Sequence, residues 1–147
     1  MAKLHLKRSL SGFVPADAES EATAKRFKQG EIYRATISKP RSYRHHCLFM
    51  SLLELCFQNQ DTYTDAQMFR RAIALEAGHV RIVIDLHGES HIIPLAYSYD
   101  EIPDEDDFTV AFGKAMAVCQ RLMHNIGASE LEGEVSKYAA AHYGITP

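Results

Sequence analysis

Between Lys25 and His46 seven cations, Lys25, Arg26, Lys28, Arg34, Lys39, Arg41 and Arg44, are opposed only by Glu31, and His45 follows the last of them directly. Clustered cations of this kind suit a polyanion, because each neutralised phosphate releases condensed counterions. Arg41 and Arg44 flank Ser42, a residue type favoured at helix N-caps. Two guanidinium forks, a hydroxyl and the free amides of a helix start could therefore converge on one phosphate. Tyr43 interleaves with the cations and can stack a base, which is how single strands are held. The candidate nucleic-acid-binding residues are Arg34, Lys39, Arg41, Tyr43, Arg44, His45 and His46, with single-stranded DNA as the favoured ligand. The competing reading is an ordinary solvated basic face.

A second charged feature is the acidic run Asp104, Glu105, Asp106, Asp107. Residues 82–147 carry 11 Asp+Glu against 3 Lys+Arg, whereas residues 1–81 carry 8 against 13. Acids at a helix start are explained by the helix dipole. The alternative is that this run imitates nucleic-acid phosphates and occupies a partner's basic groove.

Other chemistries find little in the sequence. His45 and His46 are adjacent on a helix, so their rings diverge by about 100° and do not chelate one ion in the usual way. His87 and His91 lie across a turn without a cysteine or acid at a diagnostic spacing, and HExxH is absent. The chain has no GxxxxGK[ST], GxGxxG or GxSxG. Cys47 and Cys56 fall at core-type helical positions, where an inert thiol is expected. No catalytic residues, metal or cofactor are expected.

The elements that must position these residues follow from periodicity. The chain has 147 residues, 46% hydrophobic and 24% charged, the size and composition of one globular domain over 1–147. KLHLKR and the segment to Val14 suggest an N-terminal hairpin over 1–14. Pro15 to Gly30 reads as a surface helix, with acids first and bases last. EIYRATISK, 31–39, reads as a strand ended by Pro40. From Ser42 to about Asn59 the apolar spacing is helical and predicts the centre of the core. Thr64 and Gln67 form a capping box for a helix ending at Gly78. Residues 79–98 read as a hairpin turning between Asp85 and Glu89, with Pro94 at an edge. A helix begins near Asp104, and Ser129 and Glu132 cap a last one over 129–144. The fold class is α+β: small antiparallel hairpins packed with four to five helices around one core. No apolar run approaches a membrane span, and three cysteines without CxxC suit a reducing compartment, so a cytoplasmic location in a bacterial host is expected.

On GEIYRATISKPRSYRHHCLFMSLLELCF (30–57), MFRRAIALEAGHV (68–80) and HIIPLAYSYDEIPDEDDF, the chain resembles a family of uncharacterised phage and prophage proteins, over most of 28–123. In that pattern a glycine-started strand leads to an arginine and then to a histidine and phenylalanine on a Leu-rich helix, matching Gly30, Arg41, His46 and Phe49. A later Phe-Arg helix ending in Ala-Gly matches Phe69, Arg70, Ala77 and Gly78. The family pattern places basic residues directly after the histidine, where this chain has Cys47 and Leu48. In element order the chain also resembles the NinB (Orf) recombination-mediator family, which binds single-stranded DNA as a dimer.

The resemblances imply a non-enzymatic phage accessory protein that binds nucleic acid or its protein complexes in recombination or replication. The alternative is an inhibitor of a host defence complex, anti-CRISPR-like, acting through Asp104, Glu105, Asp106 and Asp107. A homodimer is plausible because the Leu-rich helix and the Phe108–Met123 helix offer more apolar surface than one small sheet covers.

Overall fold

The computed structural model describes residues 2–145. Where the length suggests one domain over 1–147, the contacts form two compact units that divide between Ile37 and Ser38.

In the first unit, strands β1 (Leu6–Ser9) and β2 (Gly12–Pro15) form an antiparallel hairpin in which Leu6 lies across from Pro15 and Ser9 from Gly12. Gly12 turns the chain at φ 130°, which a side chain would resist. Helix α1 (Ala18–Ala24) follows, capped by Asp17, whose carboxylate accepts from Ser20 N–H at 2.7 Å. The helix expected to reach Gly30 stops at Ala24, because it has few large apolar side chains to hold a longer helix against tertiary structure. The strand expected over 31–39 is absent: these residues are exposed and without regular structure. β-propensity records fit to a pleated neighbour, and among the described residues no strand pairs with this segment.

The second unit holds α2 (Tyr43–Gln58), α3 (Ala66–Glu76), the hairpin β3 (Val80–Ile84) and β4 (Ser90–Pro94), α4 (Glu105–Leu122) and α5 (Ala128–Tyr143). With two separate two-stranded antiparallel sheets and five helices among the described residues, the fold is α+β. Helix α2 packs on α3, α4 and α5 and supplies Phe49, Leu52, Leu53 and Cys56 to the core. Phe69 and Ile73 of α3, Phe108, Val118 and Cys119 of α4, and Leu131 and Val135 of α5 close around them. All three cysteines are buried free thiols. The inward faces of α2 and α4 are thus covered within the unit, while Val110 and Leu122 of α4 stay exposed.

Two of the expected caps differ. Helix α3 is capped by Asp65, whose Oδ1 accepts from Gln67 and Met68 N–H, because a carboxylate one residue beyond Thr64 is the stronger acceptor. Helix α5 starts from Gly127 with no side-chain cap, so Ser129 lies inside its first turn. Ser42 caps α2 and Gly78 ends α3 at φ 74°, both as their residue types predict. Among the described residues no helix is long and apolar enough to cross a membrane.

Candidate functional site

The start of α2 meets the start of α4, and two helix N-termini bring two positive dipole ends together. The sequence answers with acids. Asp104 caps α4, accepting from Asp106 N–H at 2.9 Å and Asp107 N–H at 3.1 Å. Glu105 reaches across to α2: Oε2 accepts from Ser42 N–H at 2.7 Å, and Oε1 lies 2.7 Å from His45 Nδ1. Backbone links join the same two segments, an isolated bridge between Pro40 and Asp104 and a 3.0 Å bond from Glu105 N–H to Lys39 C=O. Burial works to raise the Glu105 carboxyl pKa, but Ser42 N–H and His45 outweigh it and hold the group below its ordinary value. The His45 ring stacks on Phe112 and meets Phe108 edge-on.

Arg41 departs furthest from its expected role. It is 6% exposed, with its guanidinium 3.7 Å from the Phe108 ring centre and 4.4 Å from that of Tyr99. Its Nη1 donates to Tyr97 C=O at 3.0 Å and to Ile102 C=O at 3.4 Å, and its Nη2 donates to His46 Nδ1 at 3.0 Å. An arginine fork enclosed this way ties the 97–102 loop to the head of α2 and is not a phosphate ligand. Two amides beside it are also engaged, since His45 N–H donates to Ser42 Oγ and Ser42 N–H to Glu105. The anion that the start of α2 attracts is the chain's own Glu105.

Because arginine only donates, His46 Nδ1 must accept, which fixes a neutral ring protonated on Nε2. Burial first, then Arg41 and Arg70, hold the His46 pKa below its usual 6.5. The unfolded chain therefore takes up a proton as pH falls through 6.5 while the folded chain resists. Stability from this site is complete above that pH and declines below it. Urea midpoints followed from neutral to mildly acid pH should fall for the natural chain, and with a shallower slope for His46→Phe; parallel slopes would exclude His46 as the source.

Two buried polar atoms of the cluster have no hydrogen-bond partner, Arg41 Nε and the Tyr97 hydroxyl. Burial also pushes the Tyr97 phenol pKa up. Removing an unsatisfied buried hydroxyl relieves a desolvation cost of ~1–3 kcal/mol, so Tyr97→Phe is expected to leave stability unchanged or raise it by about 1 kcal/mol in chemical denaturation.

The remaining candidates scatter. Arg34 belongs to the first unit and is exposed. Lys39, Tyr43 and Arg44 are exposed at the head of α2, Tyr43 at 67%. His45 and His46 face inward, to Glu105 and Arg41. Of the acids, Asp104 and Glu105 serve the helix starts, while Asp106 and Asp107 are exposed. A depression of about 270 Å³ is bordered by Gly78, His79, Glu101, Asp107 and Lys114. That is just under the ~300–1,000 Å³ of small-molecule pockets.

The β3–β4 hairpin carries two features that sequence reading did not single out. At its turn Asp85, Glu89 and His91 bring ligand-type atoms within 4.8 Å of one another, although no acid stands at a familiar motif spacing from His91. Hydrogen bonds account for this grouping: Asp85 Oδ1 accepts from His87 and Glu89 N–H, and Oδ2 lies 2.7 Å from His91 Nε2. The second feature is apolar. Ile82, Ile84 and Ile92 share one face and are 67%, 69% and 65% exposed, and Leu86 at the turn is fully exposed. The alternation of VRIVI was a signal for a strand, but not for how much of it would be left uncovered. No family model matches the chain, and no curated protein or solved structure matches it either.

Proposed function

We propose that the chain is a binding protein that joins a nucleoprotein complex by docking the apolar face of its β3–β4 hairpin on a protein component. The observation that carries this is the exposure of Ile82, Ile84, Ile92 and Leu86 on a single hairpin, where contiguous apolar surface marks an interaction site. The surroundings define the partner's chemistry. Asp85, Glu89 and His91 stand at the turn and Arg81 pairs with Glu101 beside the strand, so the fitting surface has an apolar centre and a polar rim of both charges. Resemblance to phage and prophage proteins sets this in phage recombination or replication, or in contact with a host defence complex.

The test places a photo-crosslinking residue at Leu86 in host cells and purifies the protein it captures. One captured protein that binds the purified chain, and loses binding to the Ile84→Glu, Ile92→Glu double variant with unchanged circular dichroism, supports the reading. Unchanged binding by that variant overturns it.

A second reading keeps single-stranded nucleic acid as the ligand. It rests on Tyr43, exposed between Lys39 and Arg44. Fluorescence anisotropy with labelled single strands should then show salt-dependent binding that Lys39→Ala with Arg44→Ala weakens; an isotherm identical to that of the natural chain removes this site.

A further inference from the structure

The outer edge of β3 is open. Bonds from Asp85 N–H to Glu89 C=O and from Leu95 N–H to His79 C=O bracket the hairpin. With the register placing Ile82 across from Ile92, hydrogen-bonded pairs alternate along the ladder at 81/93 and 83/91. The N–H and C=O groups of Val80, Ile82 and Ile84 therefore point outward, as do those of Ser90 and Ile92 and the C=O of Pro94 on the other strand. Among the described residues no backbone bond outside the hairpin reaches Val80, Ile82 or Ile84.

The two edges differ in their protection. Pro94 falls at an outward position of β4, where its missing N–H weakens any added strand, and α3 packs against β4. β3 has no proline, and its charged residue, Arg81, lies on the opposite face from Val80, Ile82 and Ile84 and does not block the N–H and C=O groups of that edge. Its outward positions are Val, Ile and Ile.

We infer that the outer edge of β3 pairs antiparallel with the same edge of a second copy of this chain, about a two-fold axis at Ile82, to make a four-stranded sheet. The register follows from the sequence of the edge. Centred on Ile82, Val80 pairs with Ile84 of the second copy, Ile82 with its own counterpart and Ile84 with Val80, so every outward group is used. Centred on Arg81, the two Arg81 side chains stand directly opposite, a destabilising like-charge pair. Centred on Val83, Val80 faces the turn residue Leu86 and lies beyond the pairing.

The pairing makes Ile82, Ile84 and Ile92 of both copies one continuous apolar face. A four-stranded sheet also has the strand number that an isolated hairpin lacks for stability in water. This inference stands on the unpaired edge and not on the partner-docking reading, so either can fail alone.

Sedimentation equilibrium of the full chain over a concentration series tests it. A dimer is expected, with Ile82→Pro monomeric, because proline removes only an outward N–H and leaves the ladder within the hairpin intact. Circular dichroism establishes that the variant is folded. Ile82→Glu and Ile82→Lys should each be monomeric alone, through like charges on the axis, and should form a heterodimer when mixed. That rescue is independent of whether the proline variant folds. A monomeric natural chain at its highest soluble concentration, a dimer that survives Ile82→Glu, or a Glu/Lys mixture that stays monomeric overturns the inference.

Discussion

Replacing Arg41 with Ala is expected to lower the stability of the unit that begins at Ser38 by about 3 kcal/mol, on the order of 10 °C in Tm for a unit of this size. The guanidinium contacts Phe108 and Tyr99 in a desolvated setting, where a cation–π contact is worth ~2 kcal/mol. It also donates to the carbonyls of Tyr97 and Ile102, which lose their partner in the variant, and hydrogen bonds from charged groups contribute ~1.5–3 kcal/mol. Returning a buried guanidinium to water offsets part of this, which leaves the net figure. Arg41→Lys should recover little, since an ammonium has neither the planar fork nor the stacking face. Urea denaturation checks both variants. If Arg41→Ala kept its unfolding midpoint and lost affinity for single strands instead, Arg41 would face a ligand and not the core.

Phe108→Ala is expected to cost ~3–5 kcal/mol, because a fully buried ring is lost and its cavity collapses only in part. The ring meets Phe49 and His45 edge-on, besides lying against Arg41, so one deletion loosens α4 from both the core and the head of α2. The Arg41→Ala, Phe108→Ala double variant should lose less than the sum of the single losses, since each single change already removes their shared contact. Additivity within ~0.5 kcal/mol would show that the pair does not couple.

The legible part of this protein is local. Apolar spacing from Leu48 to Phe57 located α2 and the core, Ser42 and Asp104 marked two helix starts, Gly78 marked a stop, and Asp85 to Glu89 marked the hairpin turn. These signals are written within one or two turns of chain, and the backbone answers to them directly. The strand expected at 31–39 failed because strand formation needs a neighbour, and its residues carry propensity without saying who stands beside them.

The burial of Arg41, His45 and His46 was not legible for a related reason. Arg41, His45 and His46 have the composition of an anion-binding surface, and charge counts treat them as exposed. Their burial depends on Tyr97, Tyr99, Ile102, Glu105 and Phe108, some 50 to 65 residues later in the chain. By itself the sequence determined the core helices, the starts of α2 and α4, the β3–β4 hairpin and the α+β class, because hydrogen bonding and amphipathic period act over neighbouring residues. Only the tertiary structure decided that Glu105 satisfies the start of α2, that Arg41 is enclosed between rings, and that the isoleucines of β3 and β4 stay uncovered. Burial and pairing depend on which distant segment arrives, and the period of a single segment does not encode that.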